Sequence, residues 1–322
     1  MRALVRTTYG PPKALELREV EQPVPAADQV LVRVHAVSVN PLDWHTLTGT
    51  PYVLRLQEGL RRPKSPQLGV DFAGTVEAVG TDVTRLAAGD EVFGGRSGAF
   101  AEYVCARDAV VKKPANVSFE QAAAVPIAGL TALQGLRDKG GLEPGQKVLV
   151  NGASGGVGTF AVQIAKALGA EVTAVCSTRN VEQARLLGAD HVVDYAGQDF
   201  TRRSERYDVL LDVAGNRAWR EYKRVLQPQG ALVFVGGPKT NRWIGPLGRG
   251  LQLKVAAIPG DRRVVMFLAK LNNDDLDFLA KLLEESSVTP VVEKTYELSE
   301  AAEALALLGE GHARGKVVLS LY

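Results

Sequence analysis

Cysteine is scarce. The chain of 322 residues carries two, Cys105 and Cys176, far apart, so neither a disulfide framework nor a cysteine-built metal site can be assembled. Cys176 closes an apolar run and reads as a buried strand residue. Long apolar runs are also missing. Nothing approaches the roughly 20 residues that cross a bilayer, and residues 1–6 hold no apolar signal core. No membrane partner is expected, and the default compartment is the cytoplasm. An excess of one charge is missing as well: 38 Lys and Arg against 36 Asp and Glu leave a net +2. The nearest thing to a basic cluster, Arg61, Arg62 and Lys64, reads as a solvated loop, so no nucleic-acid partner is expected. The four histidines, His35, His45, His191 and His312, are scattered and match no ligand spacing.

What is present is a soluble composition, 46% hydrophobic and 23% charged, on a chain long enough for two cores. Up to about residue 115, short strand patterns at 2–6, 15–19, 29–38, 74–79, 91–93 and 101–104 alternate with dense turn signals. They predict a small, irregular, barrel-like β domain. Ser118-Phe119-Glu120-Gln121 is a capping box that opens a helix toward Leu136. From Gln146 the register changes. Strand patterns at 147–151, 171–176, 191–194, 208–213, 231–235 and 264–269 are joined by helical stretches at 181–187 and 217–226, with an amphipathic helix at 276–285. Near-continuous apolar strands linked by helices predict an α/β domain with a parallel sheet covered on both faces. A last strand at 316–321 is expected to rejoin the first domain. The predicted division is 1–122 with 287–322 for the first domain and 123–286 for the second.

The strongest local signal is Asn151-Gly152-Ala153-Ser154-Gly155-Gly156-Val157-Gly158, between an apolar strand and a helical repeat of Phe160, Ala161, Ile164, Ala165 and Leu168. In the pattern G-x-G-x-x-G its three positions are Ala153, Gly155 and Gly158. Without a Cβ at Gly155 and Gly156, backbone N–H groups can approach a pyrophosphate at the positive end of a helix. Gly158 permits close packing of that helix on the strand. Ser154 and Val157 complete the turn. The alternative is a tight structural turn, but strand, helix and later βαβ repeats agree on a dinucleotide.

Which dinucleotide is decided about 20 residues later, at the end of the second strand, where an Asp or Glu binds a free ribose and repels a 2′-phosphate. Here stand Ser177, Thr178, Arg179 and Asn180, with no carboxylate among them. Arg179 can bond a phosphate, and Tyr195, after the third strand, can add a hydroxyl. Ser177 and Thr178 can also serve simply as helix caps. The composition of this corner favours NADP(H). Further cofactor contacts are expected from loops at strand C-termini, at Val213 and Gly215 and at Val235, Gly236 and Gly237.

These motifs, together with Val37-Ser38-Val39-Asn40-Pro41-Leu42-Asp43, Gly69-Val70-Asp71-Phe72-Ala73-Gly74, Gly129-Leu130-Thr131-Ala132 and Gly188-Ala189-Asp190, occur in one order along the whole chain. In this the chain resembles the zinc-independent medium-chain dehydrogenases/reductases, close to NADPH:quinone oxidoreductases and zeta-crystallin. The resemblance implies a GroES-like β-barrel catalytic domain, completed by the C-terminal segment, and a doubly wound Rossmann domain, with the active site in the cleft between them. It implies a homodimer. It also implies that Asn40 lies near the nicotinamide ribose and the reacting centre, and that Asp43 holds its loop. Relatives place an aromatic of the substrate pocket where Tyr52 stands, to orient a carbonyl or donate a proton.

Each role has a plain structural competitor. Asn40 can be a turn residue before Pro41, Tyr52 a loop aromatic packed on the barrel, and Thr131, with Gln134, an interdomain structural residue rather than a cofactor contact. Lys316 is either a positive charge near the cofactor or a surface lysine opening a strand. In the zinc-dependent branch a Cys, a His and a second Cys or Asp bind the catalytic metal. The matching places here hold Asn40, Val70 and Ile127, so no metal is expected. Without one, the acceptor must take hydride readily, which fits quinones and α,β-unsaturated carbonyls. A zinc-independent alcohol or aldehyde reductase is the alternative enzyme. A non-catalytic NADPH-binding protein, crystallin-like or RNA-binding, is the alternative outside enzymes.

Overall fold

The computed structural model describes residues 1–237, 241–258, 260–311 and 313–321, so His312 lies outside the described residues. It divides into two compact units. The first comprises Met1–Ile127, Lys270–Ser286 and Pro290–Tyr322, and the second Ala128–Ala269 with Ser287–Thr289.

The first unit begins with β1 (Arg2–Val5) paired antiparallel with β2 (Glu16–Glu19). Then come β3 (Val30–Val39), α1 (Pro41–Thr48), α2 (Arg55–Glu58), β4 (Asp71–Val79), β5 (Glu91–Gly95), β6 (Tyr103–Ala106), β7 (Val110–Lys112) and α3 (Phe119–Ala123). The chain passes through α4 (Pro126–Gln134) into the second unit. There follow β8 (Lys147–Asn151), α5 (Gly156–Ala167), β9 (Glu171–Cys176), α6 (Val181–Leu186), β10 (His191–Asp194), β11 (Tyr207–Asp212), α7 (Trp219–Val225), β12 (Leu226–Phe234), α8 (Pro246–Ala257) and β13 (Arg263–Met266). Finally α9 (Asn273–Glu284), β14 (Val292–Glu297), α10 (Ala301–Glu310) and β15 (Lys316–Ser320) return to the first unit.

In the first unit β3 is the hub. One edge carries β4; the other is shared, with β15 pairing residues 36–39 and β6 pairing residues 30–33. The sheet order is β14-β15-β3-β4-β5-β7. Its core is Val32, Val34, Leu47, Phe72, Phe100 and Val317. In the second unit all pairings are parallel, in the order β10-β9-β8-β11-β12-β13. That is the doubly wound order, and its direction reverses between β8 and β11, where ligands bind in such sheets.

Two sequence expectations need correction. The helix expected from Ser118 to Leu136 is two helices, because Pro126 lacks an N–H and starts a new one. Its end widens into a π-helical turn, Gly135–Gly140. The second unit comprises Ala128–Ala269 with Ser287–Thr289, not 123–286. Residues 270–286 belong to the first unit because α9 is tied there: Val110 N–H donates to Asn273 Oδ1 (3.0 Å), Asn116 Nδ2 donates to the Leu283 carbonyl (2.9 Å), and Arg85 pairs with Asp277 (2.6 Å).

Candidate active site and cofactor cradle

At the end of β8 the chain turns through residues 152–155 and enters α5. Gly158 is fixed by packing, since a Cβ there would lie 2.1 Å from the Gly152 carbonyl oxygen. Gly155 is different. Its φ of −81° suits any residue, and the nearest atom to a Cβ would be 3.7 Å away. Nothing within the chain requires a glycine there, so the space it keeps open is a cradle that a Cβ would begin to fill. No side chain caps α5, so the first N–H groups of the helix, at Gly156 and Val157 next to Ser154, lack a side-chain acceptor. Bare helix N–H groups beside an open glycine fit a pyrophosphate.

The neighbouring strand ends are stapled by Asp212, fully buried at the end of β11. Its carboxylate accepts from Asn151 Nδ2 (2.8 Å), the Gly215 N–H (2.9 Å) and the Tyr222 hydroxyl (2.5 Å). Burial pushes the Asp212 carboxyl and the Tyr222 hydroxyl upward in pKa. The loops carrying Val213 and Gly215 and carrying Val235, Gly236 and Gly237 interlock. A Cβ on Gly215, whose φ is +62°, would lie 2.3 Å from the Gly236 carbonyl oxygen, and one on Gly236 would lie 2.7 Å from that of Val213. Asp212 thus shapes one of the two loops that the sequence assigns to the cofactor.

At the end of β9, register pairs Cys176 with Asp194 and so brings Tyr195 beside Ser177. Thr178, Arg179 and Tyr195 are exposed. No side chain caps α6 or the short turn before it; Ser177 Oγ instead accepts from Asn180 Nδ2 (3.0 Å). Residues 177–180 hold no carboxylate, yet Asp194 brings one from the next strand, accepting from Thr178 Oγ1 at 2.6 Å and from the Ala196 N–H at 3.0 Å. The Thr178 bond holds Asp194 below the usual carboxylate range.

The first unit contains a buried charge cluster. Ser38, Asn40, Asp43, Asp71 and Lys316 are each at most 4% exposed. Lys316 Nζ donates to Asn40 Oδ1 at 2.6 Å and lies 3.6 Å from Asp71 Oδ2. Asn40 Nδ2 and Ser38 Oγ both donate to that oxygen at 2.9 Å, and the Ile127 N–H donates to Asp71 Oδ1 at 3.1 Å. Asn40 precedes α1, and its N–H donates to Asp43 Oδ2 at 2.7 Å. Burial raises the Asp43 carboxyl to about 7, with the Asn40 bond opposing it. Burial likewise raises Asp71 and lowers Lys316, each opposed by the other's charge.

Lys316 is therefore no surface lysine, and Asn40 is more than a turn residue before Pro41. The positions where the zinc-dependent branch carries ligands gather around Asp71: Asn40 and the Ile127 N–H bond it, and Val70 precedes it. Tyr52 lies half-buried in the loop before α2, with the Arg55 guanidinium 4.7 Å from its ring centre. Thr131 is half-buried on α4, and Gln134 is buried there. Asp71 and Asp212 are missed by the sequence reading: Asp212 is an isolated acid inside the strand pattern 208–213, and Asp71 stands just before the pattern 74–79. Among the described residues no three His, Cys, Asp or Glu groups are placed to hold a metal ion. His35 stacks on Phe119, His45 bonds the Thr50 carbonyl, and His191 meets Glu171.

The chain matches the alcohol dehydrogenase GroES-like domain over residues 26–115 and the zinc-binding dehydrogenase family over residues 187–319. Over 99% of its length it is 33% identical to the chloroplast envelope quinone oxidoreductase homolog of Arabidopsis thaliana, covering 98% of that protein. Its fold matches the quinone oxidoreductase from Coxiella burnetii with a TM-score of 0.87 at 33% identity, covering 100% of this chain and 99% of that one. It matches the Escherichia coli quinone oxidoreductase complexed with NADPH with a TM-score of 0.83 at 26% identity, covering 100% of both.

Proposed function

This chain belongs to the medium-chain dehydrogenase/reductase superfamily, alongside its quinone oxidoreductases, and on that premise we propose an NADPH-dependent, zinc-independent reductase of quinones or α,β-unsaturated carbonyls. One observation carries the reading: where the zinc-dependent branch has metal ligands, this chain places the Lys316 ammonium on Asn40 and Asp71. With the ammonium already seated against Asp71, and Val70 and Ile127 offering no ligating side chain, the spot leaves no donor set for a divalent ion.

Bound NADPH supplies the hydride. The chain's own work is to bind, orient and exclude water. Ser154, Gly155, Gly156, Val157 and Gly158 receive the pyrophosphate; Arg179, with Ser177 and Tyr195, receives the 2′-phosphate, and Thr178 joins them by turning its hydroxyl from Asp194. Val213, Gly215, Val235, Gly236, Gly237 and Thr131 line the rest of the cofactor. Asn40 serves the nicotinamide ribose and the reacting centre, with Lys316 fixing its amide, and Tyr52 orients the acceptor carbonyl. A hydroquinone or enolate delocalises the charge that hydride brings, so a few donors suffice. We place the protein in the cytoplasm as a homodimer.

The test is NADPH oxidation against a panel of quinones, enones and aldehydes. Turnover on quinones or enones, unaffected by a chelator, is expected. Arg179→Ala should raise the KM for NADPH about tenfold and leave NADH unchanged. No turnover on any acceptor while NADPH still binds removes the enzymatic reading, and loss on chelation restored by zinc removes the metal-free one.

A further inference from the structure

Helix α8 buries Gly250, Leu253 and Ala257. It packs closely on β13, where a Cβ on Gly250 would lie 2.3 Å from Met266 Sδ. Its outer face is apolar. Leu247, Leu251, Val255 and Ile258 are spaced by four, four and three residues, which is one helical stripe, and they are 49% to 75% exposed; Ile244, just before the helix, is 44% exposed. Trp243, beside the stripe, is 72% exposed. A surface helix normally turns charge outward, and a contiguous apolar strip of this size marks a contact surface.

The charges around the stripe identify the contact. Between Glu221 and Asp261 the sequence has no acid, while Lys223, Arg224, Arg242, Arg249 and Lys254 are all cationic. Arg242 and Lys254 are exposed. A twofold pairing of this face with itself would set its cations against each other with no acid to meet them. An apolar stripe whose own segment, residues 242–258, carries cations and no acid is instead complementary to anionic headgroups over acyl chains. The start of the helix also opens onto a cavity of about 490 Å³, lined by Ile244, Gly245 and Gly248 and, on its other side, by Gly215 and Asn216 of a loop assigned to the cofactor.

We propose that this face docks the protein on an anionic lipid bilayer. α8 lies in the headgroup layer, its stripe enters the acyl boundary, and Arg242 and Lys254 meet lipid phosphates. No helix among the described residues is long and apolar enough to cross a membrane, but a helix lying in the interface needs no such length. Such docking runs against the sequence expectation of no membrane partner, which rests on the lack of a long apolar run. Docking does not depend on the proposed reaction, and its test needs no turnover.

The test is flotation of the full chain with vesicles of phosphatidylcholine alone or mixed with phosphatidylglycerol, with tryptophan emission recorded in parallel. Flotation with the anionic vesicles only, weakened by salt, is expected, with a blue shift that Trp243→Phe removes. Leu251→Asp with Val255→Asp should lower partitioning at least about tenfold, and Lys254→Ala about fivefold, while NADPH binding and circular dichroism stay unchanged. Absence of flotation, equal flotation with neutral vesicles, or flotation that survives the double substitution overturns the proposal. A concentration-dependent dimer abolished by that double substitution, without vesicle binding, gives the face to a second copy of the chain instead.

Discussion

Asp71 opens β4 in the first unit and Asp212 closes β11 in the second. Both are fully buried, and burial raises the pKa of both. Their surroundings differ in kind. Asp71 faces an ammonium, an amide, a hydroxyl and a peptide N–H. Asp212 has neutral donors only: an amide, a peptide N–H and a phenol. The charged arrangement fixes a side chain, Asn40, whose oxygen accepts a hydrogen bond from the Lys316 ammonium. The neutral arrangement fixes a backbone, the loop through Gly215. A buried carboxylate can therefore fix either a single side chain or a stretch of backbone, according to whether its partner is a cation or a set of dipoles.

Removing the cation breaks this contrast most sharply. Lys316→Met leaves Asp71 buried without a counter-charge and should cost about 3–5 kcal/mol in denaturant unfolding, much of it regained when Asp71→Asn is added. Equal losses in the single and double variants would mean that the two charges are not coupled.

Asp43 tests the same cluster through pH. Its folded pKa, about 7, lies above the ordinary carboxylate value, so the folded state holds the proton more tightly than the unfolded one. Its contribution to stability is complete below the ordinary value and is lost as pH rises toward 7, by up to about 4 kcal/mol. Unfolding curves of Asp43→Asn should be flatter across that window than those of the unsubstituted protein.

On the neutral side, Asp212→Ala strands three donors and should cost about 2–3 kcal/mol. The KM for NADPH should rise more than kcat falls; a kcat effect alone would place Asp212 outside the cofactor loop's support. Smallest is Gly155→Ala. The chain has room for the methyl, so unfolding should change by less than about 0.5 kcal/mol, while the KM for NADPH rises about tenfold.

Much of the second unit is legible in the sequence. The patterns at 147–151, 171–176 and 191–194 coincide with β8, β9 and β10, because strands within a parallel sheet are continuous apolar runs. The first unit is less so. β14, Val-Glu-Lys-Thr-Tyr-Glu, is an edge strand with mostly exposed side chains and carries no clear alternation. α1 hides behind Asn40-Pro41, which reads locally as a turn although proline is well placed at a first helical position. The glycine turn, the corner at Ser177 and Asn40 are local patterns and can be found by spacing. The pairing of Asp71 with Lys316, or the reach of Asp194 to Thr178, is made by strand register and leaves no trace in a short window.

Lys316 follows Asn40 by 276 positions, and the whole second unit, Ala128–Ala269 with Ser287–Thr289, lies between them. A ribosome must therefore finish that entire unit and reach β15 before Asp71 can meet its counter-ion. Until then Asp71, at the start of β4, lacks the ammonium that offsets its burial. Order of synthesis is thus written into where a single lysine sits.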